Sequence, residues 1–99
     1  MPAYIIAEIK VTNPEGYDAY RPLAAASVAR FGGRFVVRGG KFETAEGAAR
    51  SRNVVIEFSD YQTAVACYRS PEYQANIKLR QPNATVDLII VEGYDGPQP

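Results

Sequence analysis

The sequence predicts an α+β domain: a four-stranded antiparallel sheet with its helices packed on one face. Two segments, Ala3–Thr12 and Arg52–Phe58, alternate apolar and polar residues with the period of a strand. Two stretches between strands space their apolar residues three and four apart, as a helix does. Read in order, the elements run β-α-β-β-α-β.

In the first strand, Ile5, Ala7, Ile9 and Val11 share one face, and Tyr4, Ile6, Glu8 and Lys10 the other. Asn13-Pro14-Glu15 then reads as N-cap, first helical residue and first-turn acid. The helix that follows carries Tyr17, Tyr20, Ala24, Val28 and Phe31 on one stripe. Pro22 should kink it or shift its start, and Gly32-Gly33 ends it.

The second strand, Arg34–Arg38, stops at Gly39-Gly40. Residues 41–51 are a polar connection whose first part, Lys41–Thr44, is read as a short extension of that strand. The third strand sets Val54, Ile56 and Phe58 against Asn53, Val55 and Glu57. Ser59-x-x-Gln62 has the form of a capping box for a second helix with Tyr61, Ala64, Val65 and Tyr68 inward. Ser70-Pro71-Glu72 restarts that helix, with Tyr73, Ile77 and Arg80 near one face, and Pro82-Asn83 breaks it. Residues 84–92 form the fourth strand, and residues 93–99 are expected to be a flexible tail. The arrangement is ferredoxin-like, one domain over residues 1–99, with spatial strand order four, one, three, two.

Composition narrows the chemistry. A single domain of 99 residues can build a core without disulfides or metals. Eleven basic residues balance eleven acidic ones, which argues against a nucleic-acid partner. No segment approaches the roughly 20 apolar residues of a membrane span, and the N-terminus lacks the form of a secretory signal, so a cytoplasmic location is expected. Histidine and tryptophan are absent and Cys67 is the one cysteine. A His general base, a His-ligated haem and a Cys–His nucleophile are therefore impossible, and no metal or cofactor is expected.

The second sheet face is too apolar for bare solvent. With Phe35 and Val37 turned toward the helices, it carries Tyr4, Ile6, Glu8, Arg34, Val36, Arg38, Val55, Glu57, Asp87, Ile89 and Val91. A second copy of the chain is the simplest cover, so a homodimer is expected.

Several residues on this framework suit a site, and each also has a structural reading. Glu57 is a mid-strand carboxylate that can serve as general base, with Glu8, itself a candidate substrate contact, close enough to raise its pKa; equally, Glu57 can pair with Arg38 or Arg34. Arg38, before two glycines, can fork onto a substrate carboxylate or be the partner of Glu57. Tyr73 can donate a hydrogen bond into a pocket, although Ser70–Tyr73 is fully explained as a helix start. Arg80, seven residues on, can add a second positive charge for an anionic ligand or complement the helix end. Tyr17, Tyr20 and Tyr68 read as core, and Cys67 as an unreactive thiol.

Tyr17 and Tyr20, Gly32-Gly33-Arg34, Arg38-Gly39-Gly40, Glu57-Phe58, Ser70-Pro71-Glu72-Tyr73-Gln74 and Arg80 stand in an order and spacing that resembles a bacterial family of unknown function in the dimeric α/β-barrel superfamily. The resemblance spans Ala3 to Gly93. It implies a ferredoxin-like protomer whose sheet packs on its twin's sheet. The superfamily includes cofactor-free monooxygenases, haem-degrading enzymes and small-molecule isomerases. The first two commonly use His or Trp, which this chain lacks, and Cys67 stands where a large aromatic is expected. Three functions fit. One is a cofactor-free enzyme on a small organic acid, isomerase- or monooxygenase-like, with Glu57 as base, Arg38 and Arg80 as anion holders and Tyr73 as donor. The others are a non-catalytic small-ligand binder and a purely structural homodimer.

Overall fold

The structure is a computed structural model that describes residues 1–99. The elements are β1 (Ala3–Val11), α1 (Pro14–Arg30), β2 (Arg34–Arg38), β3 (Arg52–Phe58), α2 (Tyr61–Arg69), α3 (Pro71–Arg80) and β4 (Ala84–Glu92), with a 3-10 turn at Gln81–Asn83. The sheet order is β2-β3-β1-β4, with every neighbouring pair antiparallel. This is the ferredoxin-like order expected from the sequence, with β1 and β3 in the centre. No helix is long and apolar enough to cross a membrane.

The core lies between the sheet and one layer of helices. Ala3, Ile5, Ala7 and Ile9 of β1 and Val54, Ile56 and Phe58 of β3 are buried against Tyr17, Tyr20 and Val28 of α1 and Tyr73 and Ile77 of α3. Polar groups buried between α1 and α3 are satisfied. Ser27 Oγ donates to Glu72 Oε1 (2.9 Å), and Asn76 Nδ2 donates to Ser27 Oγ (3.0 Å) and to the Leu23 carbonyl (3.1 Å). Glu72 also pairs with Arg30.

Local chemistry corrects several expectations. α1 starts at Pro14 and runs through Pro22 without interruption. Asn13 caps it by backbone position only; its side chain donates instead to Asn83 Oδ1 (3.0 Å) and ties the helix start to the 3-10 turn. α2 is capped by Asp60, not Ser59: Asp60 Oδ1 accepts from Thr63 N at 2.7 Å, so the capping box does not form. α2 buries Ala64 and Cys67, while Tyr61 is exposed. Residues 41–44 do not extend β2. Gly39 adopts φ +67°, its N–H closes onto the Asn53 carbonyl, and the chain leaves the sheet with no strand to pair with. Residues 93–99 hold neither helix nor strand.

The most consequential correction lies in β2. Arg34 faces Glu57 and Phe35 faces Ile56, but Val37 then faces Val55 and Arg38 faces Val54. Val36 is the extra residue of a β-bulge. Because side chains alternate along a strand, one added residue reverses everything after it. Val37 therefore stands on the open face and Arg38 on the helix face, the opposite of the expected placement.

Candidate functional site

The reversal at Val36 turns Arg38 to the helix side of the sheet, where, still exposed to solvent, it borders a pocket between the sheet and the helices. Its guanidinium lies 4.2 Å from the centre of the Phe35 ring, stacked over that face. The neighbouring strand adds Arg52, which faces Ile9 of β1 on the same side. Gly39 makes room for it: a Cβ there would collide with Arg52 Nη1, and the positive φ also favours glycine. Arg52 carbon Cζ sits 5.7 Å from the Tyr17 ring, and its Nε is buried without a hydrogen-bond partner.

α3 brings Arg80 from its last turn. Only 8% of Arg80 is exposed, yet its side chain makes one long hydrogen bond, Nη1 donating to the Tyr20 hydroxyl at 3.4 Å. Its Cζ lies 5.7 Å from the Tyr20 ring. Tyr17 and Tyr20, one turn apart on α1, hold their rings 5.6 Å from each other. Tyr73, in the first turn of α3, closes the floor.

The cavity has a volume of about 50 Å³, well above the roughly 10–15 Å³ that one water needs. Four arginines (Arg21, Arg38, Arg52, Arg80) and three tyrosines line it, the other lining residues are apolar, and no carboxylate is among them. The four ion pairs of the molecule join Arg21 to Asp18, Arg30 to Glu72, Arg34 to Glu57 and Arg50 to Asp87. Arg38, Arg52 and Arg80 belong to none of them.

The structure brings three of the sequence-selected residues together, Arg38, Tyr73 and Arg80, and separates two. Glu57 is on the open sheet face, where its carboxylate accepts from Arg34 Nη2 (3.0 Å) and the Tyr4 hydroxyl (3.3 Å). Its partner is Arg34, not Arg38, because the bulge turns Arg38 away. Glu8 is not its neighbour either. Glu57 faces Tyr4 and Glu8 faces Asn53, so four residues, about 13 Å, part the two carboxylates. Glu8 and Asp87 stand directly across from each other, and Arg50 bridges them, bonding the Glu8 carbonyl (3.0 Å) and the Asp87 carboxylate (2.6 Å).

Arg52 escaped the sequence reading, although a signal for it existed. Continuing the inward positions Phe58, Ile56 and Val54 back by two reaches Arg52, a cation on an apolar face. Tyr17 and Tyr20 are core, as expected, but they also line the pocket.

The family comparison agrees in extent with these elements. Residues 2–94 match the model described as Domain of unknown function (DUF1330). The chain belongs to the DUF1330 family. No curated protein matches it in sequence. Among solved structures, this DUF1330 chain is similar to RPA0582, a protein of unknown function from Rhodopseudomonas palustris, with TM-score 0.74 and 20% identity over 96% of this chain and 84% of that one. It is similar to SnoaB, a cofactor-independent oxygenase from Streptomyces nogalater, with TM-score 0.66 and 14% identity over 96% and 95% of the two chains. A dimeric protein of unknown function and ferredoxin-like fold from Bacteroides fragilis aligns with TM-score 0.63 and 12% identity over 93% and 96%. At these identities the likeness is one of fold.

Two ionisable groups of the DUF1330 chain are shifted by burial in the helix layer. The Tyr73 hydroxyl is held well above the usual tyrosine range, chiefly by burial and by the Tyr20 hydroxyl beside it, with Arg80 pulling the other way. It therefore stays protonated and offers a hydrogen bond rather than a base. The Cys67 thiol is pushed up to about 11 by burial, with a smaller contribution from Glu72, which keeps it from acting as a nucleophile at neutral pH. No cluster of three His, Cys, Asp or Glu residues is placed to hold a metal ion.

Proposed function

We propose that this DUF1330 protein binds a small organic anion in the pocket between sheet and helices. The observation that supports this best is the set of three guanidinium groups, Arg38, Arg52 and Arg80, around an apolar cavity with no carboxylate in its lining. Arg80 is buried, Arg52 half-buried and Arg38 exposed; a buried cation without a counter-ion is strongly unfavourable, and a planar guanidinium is suited to a bidentate carboxylate. In this reading Arg80, deepest in the pocket, takes the anion, and Tyr73 and Tyr20 supply hydroxyls beside it.

The groups present favour binding and oxyanion stabilisation over proton abstraction. Donors fixed in a partly dry pocket stabilise negative charge on a bound oxygen. Glu57 lies on the far side of the sheet from Arg38, so one ligand within a protomer does not meet both. A second copy of the chain covers the open face in the same reading. Ile6, Val37, Val55, Ile89 and Val91 form its apolar centre, and the dimeric Bacteroides fragilis protein of similar fold lends support.

The test is a thermal-shift panel of small carboxylates and aromatic acids on wild type, Arg38→Ala and Arg52→Met. A ligand that binds only the folded state at about a hundred times its Kd stabilises by about 2.7 kcal/mol, a shift of many degrees for a domain of this size. The expected result is an acid that raises the melting temperature of wild type and raises it less in both variants. A broad panel that leaves wild type unmoved would overturn the proposal.

A further inference from the structure

Building on the anion pocket proposed above, we infer that its ligand carries two separated anionic groups joined by a short apolar body, as a small dicarboxylate does. The three unpaired arginines come from three different elements and lie against different partners. Arg80 approaches from the last turn of α3 and lies over Tyr20, while Arg52 approaches from the first residue of β3 and lies over Tyr17. The two tyrosine rings are 5.6 Å apart on the first turns of α1; the Arg52 guanidinium lies against Gly39 at the end of β2, whereas that of Arg80 meets the Tyr20 hydroxyl. Arg38 is on the strand beside Arg52 and faces the neighbouring inward position, Val54, so it reinforces the Arg52 end.

Each end has donors to spare. Arg80 carries five N–H groups and uses one of them, on the Tyr20 hydroxyl. Arg52 has a buried Nε with no acceptor. A buried donor of that kind is costly when empty, and a ligand oxygen relieves it. A monoanion placed at Arg80 leaves the buried Nε of Arg52 without an acceptor, whereas a second anionic group can reach it. Much of the lining is apolar, Ile9, Ala24 and Leu88 among it, which suits a hydrocarbon spacer rather than a polyhydroxylated one.

The probes are succinate, butyrate of the same chain length, and inorganic phosphate, titrated by calorimetry into the full chain. Succinate is expected to bind about tenfold or more tightly than butyrate, the gain of a second charge-assisted contact. Arg52→Met, a half-buried position at the strand start, should weaken succinate about tenfold and butyrate by much less, so that the succinate advantage is lost; circular dichroism checks its fold. Arg52→Lys, which keeps the charge without the fork, should recover part of the advantage. Equal affinity for succinate and butyrate in wild type would overturn the two-group inference and leave the anion pocket standing. Phosphate binding as tightly as succinate would also overturn it, in favour of one multiply charged group. Failure of all three probes together with an unresponsive acid panel would overturn the pocket reading itself.

Discussion

Burial sets the ionisation of Cys67, and the consequence is measurable. In the folded chain its thiol is held at about 11 against an ordinary 9.0. Between those pH values the unfolded chain releases the proton and the folded chain keeps it, so the folded state binds more protons. Stability is therefore complete below pH 9 and is lost as the pH climbs toward 11. Tyr73 acts in the same direction at higher pH, since its hydroxyl is also raised. Urea unfolding at pH 8 and pH 10.5 should show wild type losing about 2 kcal/mol more than Cys67→Ala. Equal losses in the two proteins would place the alkaline sensitivity elsewhere. Residue-level signals in the sequence were uneven. Arg80 was legible because seven residues bring it back to the face of Tyr73. Arg52 was legible in principle, two positions before an apolar alternation. The pairing of Glu57 with Arg34 rather than Arg38 was not, because it depends on a bulge that no residue type announces.

Among the elements, the break between α2 and α3 depends on Ser70. Its hydroxyl accepts from Tyr73 N (3.2 Å) and donates to the Cys67 carbonyl (2.8 Å), so one side chain ends α2 and starts α3. Ser70→Ala should lower stability by about 1 kcal/mol, the usual worth of an N-cap, and the melting temperature by about 4–8 °C. Ser59→Ala should stay within about 0.5 kcal/mol of wild type, because Asp60 holds the cap of α2. Thermal melts of the two variants side by side decide it; a Ser59→Ala loss as large as the Ser70→Ala loss would restore the capping box. The same pair shows what element reading can do. Ser-Pro-Glu announces a helix start because proline has one favoured place there. Ser59 and Asp60 are both good caps, one residue apart, and only tertiary packing chooses between them. The bulge in β2 is the stronger case. Arg34-Phe35-Val36-Val37-Arg38 reads as a regular strand, and the extra residue appears only when β3 supplies the partner register.

At the scale of the molecule, the strand order was legible because each strand and helix carries its own period and the connections, apart from residues 39–51, are short. The location of the pocket was not, since it arises where β2, β3, α1 and α3 converge and no single segment encodes it. The protomer is thin, 44 × 35 × 17 Å, one sheet and one layer of helices. That leaves Ile89 58% exposed on the edge strand β4, directly across from Ile6 of β1, with Val91 exposed on the same strand and Val36 and Val37 on the opposite edge strand, β2. Charged groups ring this patch: Arg34 with Glu57 at one end, Arg50 with Asp87 at the other. An apolar centre with a balanced polar rim is how a self-complementary interface is built. Sedimentation equilibrium should therefore give twice the 10.9 kDa of one chain. Ile89→Glu should shift the protein to the monomer by setting a charge in the apolar part of the interface, whereas Arg52→Met, on the other side of the sheet, should leave the dimer intact. A wild-type protein that sediments as a monomer at micromolar concentration would refute the interface. The two faces are then independent by construction. Ile89→Glu should retain the ligand-induced thermal shift of the pocket, because the sheet backbone lies between the substituted side chain and the arginines.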